Sequence, residues 1–424
     1  MSSDLHASRN TRKQRLVFVN RYYAPDHSAT AQLLTDLASA SVRADRDVFV
    51  VTSRQRYDDA SAALPRKQTI EDVTVCRVRS FRFGRRYLVG RTLDYASFLV
   101  TATLRTWRLT RAGDIVVATT DPPLLSLALS SPTKLRRAKL INWLHDLFPE
   151  VAEELGWSRG PLSRFLLQVL RLFRNRTLST ASTNIVLGTL MLQRVQAIGI
   201  PAHKIRTIQN WSNEHAIRPI RAPDNPLRRA WHFAADDIVV SYAGNLGRAH
   251  DIGTLLSAMR LIDNAPDKIS RRLRFLIIGD GFLYDHIQSE VTRLSLRNTV
   301  FKPYQPRVLL PQCLSIADIH LTILRPQLEG LIVPSKFYGA AAAGRPIIHI
   351  GSTTGEIANV LTTADCGLVV TEGDGPGLVR AIRHLADDAA LRSLMGKRAR
   401  DLVETEITRS RSIAEWLQVF DELS

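Results

Sequence analysis

The 424-residue sequence predicts an α/β protein made of two doubly wound, Rossmann-like domains, each built on a parallel sheet. Three observations lead there. Short apolar runs alternate with helical stretches along the whole chain, the pattern of repeated strand–helix–strand units. That alternation restarts near residue 237, after a segment rich in proline and arginine. The length exceeds what one core organises, and 45% hydrophobic residues with a mean hydropathy of −0.07 suit a chain that buries large cores.

Taken in order, the strand-like runs of the first half are Leu16–Asn20, Val48–Thr52, Val73–Val78, Ile115–Thr119 and Leu140–Leu144. Those of the second half are Ile238–Ala243, Leu273–Ile278, Ile319–Leu324 and Ile347–Ile350. Between the halves, RPIRAPDNPLRRAW reads as a connector. The expected organisation is a basic disordered tail over 1–15, a first domain over 16–220, a linker over 221–236, a second domain over 237–405 and a closing helix over 406–424. In that helix Ile413, Trp416, Leu417 and Phe420 recur at helical spacing.

Charge is divided unequally. Residues 1–220 carry 33 Lys and Arg against 17 Asp and Glu, and residues 221–424 carry 24 against 23, so nearly all of the net +17 sits on the first half. Such a balance implies a polyanionic partner there: an anionic membrane surface, a lipid pyrophosphate or nucleic acid. No run reaches about 18 apolar residues, so no membrane span is expected. Two stretches suit a membrane surface instead. One is Tyr87–Trp107. The other is Leu162–Leu178, which sets Leu162, Phe165, Leu166, Val169, Leu172 and Phe173 on one face beside Arg164, Arg171, Arg174 and Arg176. The competing reading is an ordinary core-facing helix. Cys76, Cys313 and Cys366 are odd in number and widely spaced, which fits a reducing cytosol rather than a disulfide framework or zinc site. The N-terminal residues lack the apolar run of a secretory signal.

The most informative stretch is EGLIVPSKFYGAAAAGRPIIHIG, residues 329–351. Glu329 and Gly330 open a loop, Pro334 and Ser335 start a helix, Gly344 ends it, and a buried strand follows. A helix start with Lys336 in its first turn suits phosphate, whereas a carboxylate repels phosphate and suits sugar hydroxyls. This stretch resembles the donor-binding segment of the retaining glycosyltransferases of family 4, which have the GT-B fold. It is similar in particular to the bacterial exopolysaccharide subset of colanic-acid type, with a Pro-Ser-Lys helix and a Gly-Arg/Lys-Pro turn. The resemblance covers about residues 15–405. Glu329 fits the first of the family's two glutamates. The second, which holds the nucleotide ribose in relatives, would fall at Gly339.

The resemblance implies roles for other motifs. In NWLHDLFPE, His145 would meet the donor sugar and Asp146 would orient it or contact the acceptor. In YAGNLGRAHD, the loop Gly244-Asn245-Leu246-Gly247 would wrap a diphosphate, with Arg248 and Lys336 supplying charge where relatives carry cations at the positions of Asn245 and His250. It departs from the dinucleotide pattern G-x-G-x-x-G, which argues against a nicotinamide enzyme. The turn after the first strand carries Ser28 and Ala29 where relatives have two glycines. By the same resemblance LIIGDGF would shape the nucleotide cleft, KPYQ over 302–305 would lie near the base, and Glu356 of GEIA would cover for the absent second glutamate. A terminal helix in this fold often crosses back onto the first domain.

The expected catalytic residues are therefore His145, Asp146 and Glu329. The expected donor-binding residues are Gly244, Asn245, Gly247, Arg248, Gly330, Leu331, Ser335, Lys336 and Glu356. No metal or other cofactor is expected, the lone Asp45-Arg46-Asp47 reading as a solvated turn. The implied activity is transfer of a sugar, with retention, from a nucleotide-diphosphate donor to an undecaprenyl-pyrophosphate-linked saccharide. It would serve exopolysaccharide or other surface polysaccharide synthesis at the cytoplasmic face of the inner membrane. The alternatives are a nucleotide-sugar epimerase of the same fold and a basic nucleic-acid-binding protein, for which no recognition motif is present.

Overall fold

The computed structural model describes residues 13–26, 28–57, 59, 61–83, 88–158 and 160–424. Most of the tail expected over 1–15 lies outside them, as does Tyr87 at the start of one candidate surface stretch. The strands are β1 (Arg15–Val19), β2 (Asp47–Ser53), β3 (Lys67–Ile70), β4 (Val73–Val78), β5 (Ile115–Ala118), β6 (Lys139–Trp143), β7 (Thr183–Val186) and β8 (Ile205–Thr207). These are followed by β9 (Ile238–Ala243), β10 (Leu273–Ile278), β11 (Thr299–Lys302), β12 (Ile319–Ile323), β13 (Ile347–Ile350) and β14 (Gly367–Val370).

They form two sheets, one of eight strands in the order β3-β4-β2-β1-β5-β6-β7-β8 and one of six in the order β11-β10-β9-β12-β13-β14. In the first sheet β1 pairs in parallel with both β2 and β5, so the chain order reverses there. In the second, β9 pairs in parallel with β10 and β12, and every neighbouring pair is parallel. Parallel strands buried on both faces need continuous apolar runs. That is why Leu16, Val17, Phe18, Ile115, Val116, Val117, Ile347 and Ile348 are fully buried. β3 is antiparallel to β4, joined to it through Glu71 and Asp72, which both have positive φ. Its sequence KQTI is polar and largely exposed, so it gives no apolar run to read.

The chain divides into two compact units. One holds the described residues up to Trp143, with Arg176–Asn184 and Trp416–Ser424; the other holds Leu144–Asn175 and Ile185–Glu415. This grouping differs from a single boundary at 221–236. The Pro-rich connector is folded into the second unit: Asn225 caps the helix Pro226–Ala230 and donates to the Gln312 carbonyl at 2.8 Å, while buried Arg228 pairs with Asp318 at 3.2 Å. In the first unit, the last residues of the helix Arg409–Glu422 complete the core. Trp416 lies 4.8 Å from the Trp143 ring, Phe420 is edge-on to Phe18 at 6.1 Å, and Asp421 pairs with Arg46 at 2.5 Å.

Two long helices leave apolar stripes uncovered. On the helix Pro161–Thr180, Leu162, Phe165, Leu166, Leu172 and Phe173 are all more than half exposed. On the helix Leu88–Leu109, Val89, Leu93, Val100, Leu104 and Trp107 form a second exposed stripe at helical spacing. The apolar face of Leu162–Leu178 is therefore not the core-facing side. Two of its four arginines are neutralised: Arg171 pairs with Glu150 and Glu153, and Arg174 with Glu150 at 2.5 Å. No described helix is long and apolar enough to cross a membrane.

At the carboxyl ends of β9 and β10 the backbones nearly touch. Gly279 has φ of +135°, and a Cβ there would lie 2.3 Å from the Gly244 carbonyl oxygen. Replacing Gly279 with alanine is expected to destabilise the second unit by about 2–4 kcal/mol, through backbone strain and a clash that only backbone movement relieves. The shift in its urea midpoint reads this, and an unchanged midpoint contradicts the packing.

Candidate active site

In an open parallel sheet, ligands bind beyond the carboxyl ends of the strands where chain order reverses. In the second unit that point lies between β9 and β12. The loop after β9 runs Gly244 to His250, and the loop after β12 runs Leu324 to Leu331, joined where the Arg325 N–H donates to the Ala249 carbonyl at 3.0 Å. The Leu246 N–H donates to the Asp280 carbonyl at 2.8 Å, tying in the loop after β10.

Lys336 lies across this floor. A Cβ on Gly244 would come within 2.6 Å of Lys336 Cε, so only glycine admits the lysine stem. Its Nζ is 3.5 Å from His250 Nε2 and 5.2 Å from the Tyr242 ring centre. Among the described residues no carboxylate pairs with it. Desolvation pushes its pKa down to about 8. The His250 imidazole is pushed down to about 3 by burial and by the Lys336 charge, so it is neutral. A cation without a counter-charge, beside a glycine loop, is suited to an anion.

The carboxylate end of the site is built from three segments. Asp146 and Glu329 each form a β-bridge with Ile332, and the Leu147 N–H donates to the Leu331 carbonyl at 2.9 Å. These bonds bring the His145–Asp146 turn against the Glu329–Ile332 loop, although the two segments are far apart in sequence.

 The Glu329 carboxylate is buried beside helix N-termini. Its Oε2 accepts from the Glu356 N–H at 3.2 Å, and a Cβ on Gly355 would sit 2.2 Å from Oε1. Burial, together with the nearby Glu356 charge, pushes Glu329 up to about 7 against the helix N–H that lowers it. Arg194 donates to the Glu329 carbonyl at 3.1 Å. Burial pushes His145 down to about 3, so its ring is neutral.

Several expected residues sit differently from their sequence reading. Glu356 has both oxygens engaged: they accept from the Thr189 and Leu190 N–H groups at 3.0 and 2.9 Å, capping the helix Thr189–Ala197. The N-terminal N–H groups of that helix are unpaired donors, and the carboxylate satisfies two of them. Arg248 is exposed and stacks on Phe282 at 3.7 Å, so Lys336 is the cation laid on the Gly244 backbone. Asn245 is exposed, and its carbonyl accepts from the Tyr242 hydroxyl at 2.9 Å. Gly247 donates to His250 Nδ1 at 2.9 Å. Gly330 packs against Leu190 and Arg194, and Leu331 is buried. Ser335 is the N-cap residue of the helix Lys336–Ala342 but makes no side-chain cap bond. Sequence reasoning missed His349, a fully buried histidine on β13 whose Nε2 lies 4.0 Å from Glu329 Oε1. The available signal was a lone histidine inside the apolar run RPIIHIG. Among the described residues, no group of three His, Cys, Asp or Glu is placed to hold a metal ion.

Residues 29–211 match the glycosyl transferase 4-like domain, and residues 237–388 match the glycosyl transferases group 1 family. Together they cover more than half of the chain. It belongs to the family-4 glycosyltransferases. This glycosyltransferase is 26% identical over 280 residues to a Pseudomonas aeruginosa protein named "Probable glycosyltransferase WbjE", covering 65% of the present chain and 67% of that one. A match to the N-acetyl-alpha-D-glucosaminyl L-malate synthase of Bacillus anthracis is 22% identical and covers 52% of the chain and 54% of the relative. Among solved structures, sucrose-phosphate synthase from Thermosynechococcus elongatus superposes with a TM-score of 0.77 at 16% identity, over 97% of this chain and 99% of that one. Anabaena HepE in complex with UDP-glucose gives 0.68 at 15% identity, over 96% and 99%. These likenesses show the GT-B fold.

Replacing Glu356 with alanine is expected to cost about 1–2 kcal/mol, the loss of a carboxylate cap on two backbone donors. Urea unfolding of the second unit reads it. A change below a few tenths of a kcal/mol contradicts the capping role.

Proposed function

We propose that this glycosyltransferase takes a sugar from a nucleotide-diphosphate donor, with retention, and passes it to a hydroxyl of a lipid-linked saccharide in surface polysaccharide synthesis. The observation that carries the donor half is the Lys336 ammonium, which lies on the Gly244 backbone with no carboxylate among the described residues to neutralise it. In this reading the donor diphosphate takes the place of that missing counter-charge, and the backbone of Gly244 to Gly247 lines its path. Stabilising the departing diphosphate lowers the barrier because negative charge grows there as the glycosidic bond breaks. Glu329 holds sugar hydroxyls, His145 and Asp146 flank the sugar, and same-face attack needs no protein nucleophile. The solved HepE neighbours hold UDP and UDP-glucose, which makes a uridine nucleotide the first donor to test. No metal is required in this scheme, since cations of the protein meet the diphosphate.

The acceptor half rests on the two uncovered apolar stripes and on the +16 balance of residues 1–220. An exposed stripe edged by arginine suits the boundary of an anionic bilayer, where a lipid-linked acceptor resides. In this reading the enzyme works at the cytoplasmic face of the inner membrane.

Binding of UDP, measured by calorimetry in EDTA, is expected to be strong below about pH 8, where Lys336 is charged. As pH rises through that value the ammonium loses its proton, and affinity falls by about tenfold per pH unit. Lys336→Met is expected to weaken binding by about 30- to 1,000-fold and to flatten the pH dependence. A thermal-shift panel of UDP, GDP, dTDP and CMP sugars then identifies the base. Absence of binding to any of them contradicts the donor reading.

For the membrane half, co-sedimentation with anionic vesicles is expected to exceed that with neutral ones and to fall with salt. Phe165→Asp with Leu172→Asp releases the protein by at least about tenfold, because each change places a charge where apolar surface meets the bilayer. Arg171→Gln has little effect, since that side chain is already paired with Glu150 and Glu153. Equal binding by the double variant removes this helix from the interface.

A further inference from the structure

The orientation of Glu329 has a second determinant beyond the helix N-terminus. Its Oε1 and His349 Nε2 face each other at 4.0 Å, and among the described residues neither atom has a hydrogen-bond partner. Both are buried. The space around them is kept by two glycines: a Cβ on Gly351 would lie 2.7 Å from His349 Nε2, and one on Gly355 would lie 2.2 Å from Glu329 Oε1. On the far side of the ring, His349 Nδ1 is hydrogen-bonded with the Thr322 hydroxyl at 3.0 Å. Thr322 and His349 are register partners on β12 and β13, so two rigid strands fix the ring.

Two unpartnered polar atoms left face to face in a buried site are costly, and a movement of about 1 Å brings them to hydrogen-bond distance. When the Thr322 hydroxyl donates to Nδ1, the ring proton sits on Nε2 and points at Oε1. We propose that His349 is a positioning residue for Glu329, donating from Nε2 to Oε1 and so fixing the orientation and the ionised state of that carboxylate. The inference rests on the reading of Glu329 as the donor-sugar residue for its catalytic meaning, but the contact itself does not. Other groups meet Glu329 or its backbone from three further segments. Glu356 brings an N–H and a like charge from the helix Glu356–Thr363. Arg194 reaches only the Glu329 carbonyl from the helix Thr189–Ala197. Asp146 meets the loop through backbone pairing with Ile332. His349 is thus the neutral donor able to offset the Glu356 charge.

The test is an isotope-edited infrared titration of the full-length free protein, with the Glu329 carboxyl band assigned by its loss in Glu329→Gln. In the parent protein the band is expected to titrate above the usual carboxylate range, because burial raises Glu329. In His349→Leu the midpoint is expected to rise by at least about one unit, a tenfold gain in proton affinity, because the donor to the ionised form is gone. His349→Gln keeps a donor and is expected to stay within half a unit or so of the parent. Thr322→Val removes the hydroxyl bonded to Nδ1, and under this proposal is expected to shift the midpoint in the same direction as His349→Leu. If His349→Leu fails to fold by thermal melting, Thr322→Val decides alone. A midpoint unchanged in the folded variants overturns the proposal. The donor-sugar reading stands or falls separately, on whether Glu329→Gln alters transfer from the donor that the thermal-shift panel identifies.

Discussion

The arrangement of the second unit depends on one contact: an amino group laid over a glycine backbone. Lys336 can occupy that place only because Gly244 has no side chain, and Gly244 can approach β10 only because Gly279 has none either. Sheet order makes this possible. β9 and β12 are neighbours, so the loops that follow them converge, and the helix carrying Lys336 begins shortly after the second loop. An ammonium held there without a carboxylate is an unfavourable arrangement for an empty protein. It becomes favourable when an anion arrives. Asn245 and His250 on this loop carry no fixed positive charge, and a lysine from another segment stands over it.

The carboxylates follow a related logic. Glu329 reaches the N-terminus of the helix Glu356–Thr363, and Glu356 in turn reaches the N-terminus of the helix Thr189–Ala197. Each glutamate satisfies backbone donors that would otherwise be unpaired, and each fixes the segment that carries the next. Glu356 has both oxygens engaged in this way. Glu329 has one oxygen engaged and one facing His349, which leaves its charge state sensitive to its surroundings. A carboxyl near 7 and a neutral His145 both differ from their solvent values for the same reason, loss of water.

Much of this was legible in the sequence. Runs such as Val73–Val78, Ile238–Ala243, Leu273–Ile278 and Ile347–Ile350 coincide with strands because buried parallel strands must be continuously apolar. β3, β7, β8, β11 and β14 were not read as strands: KQTI and IRT are polar, TNIV, TVFK and GLVV are only four residues long, and pairing rather than periodicity makes them strands. Glycine loops and the Pro-Ser-Lys stretch marked the candidate site, and the structure brings Gly244 and Lys336 together, because close backbone approach demands particular residues. The roles of Glu356 and Arg248 were harder to read, since a carboxylate or guanidinium on a loop has many partners within reach. The structure gives one a helix cap and the other an aromatic ring, Phe282. His349 was hidden by its strand, which looked like plain core.

The most direct measurement is a crystal structure of the full chain with UDP bound. The account predicts diphosphate oxygens at about 2.7–3.2 Å from Lys336 Nζ, with the phosphates lying along the Gly244–Gly247 backbone. A diphosphate bound elsewhere in the second unit, with Lys336 still over Gly244 and making no contact to it, would contradict the account.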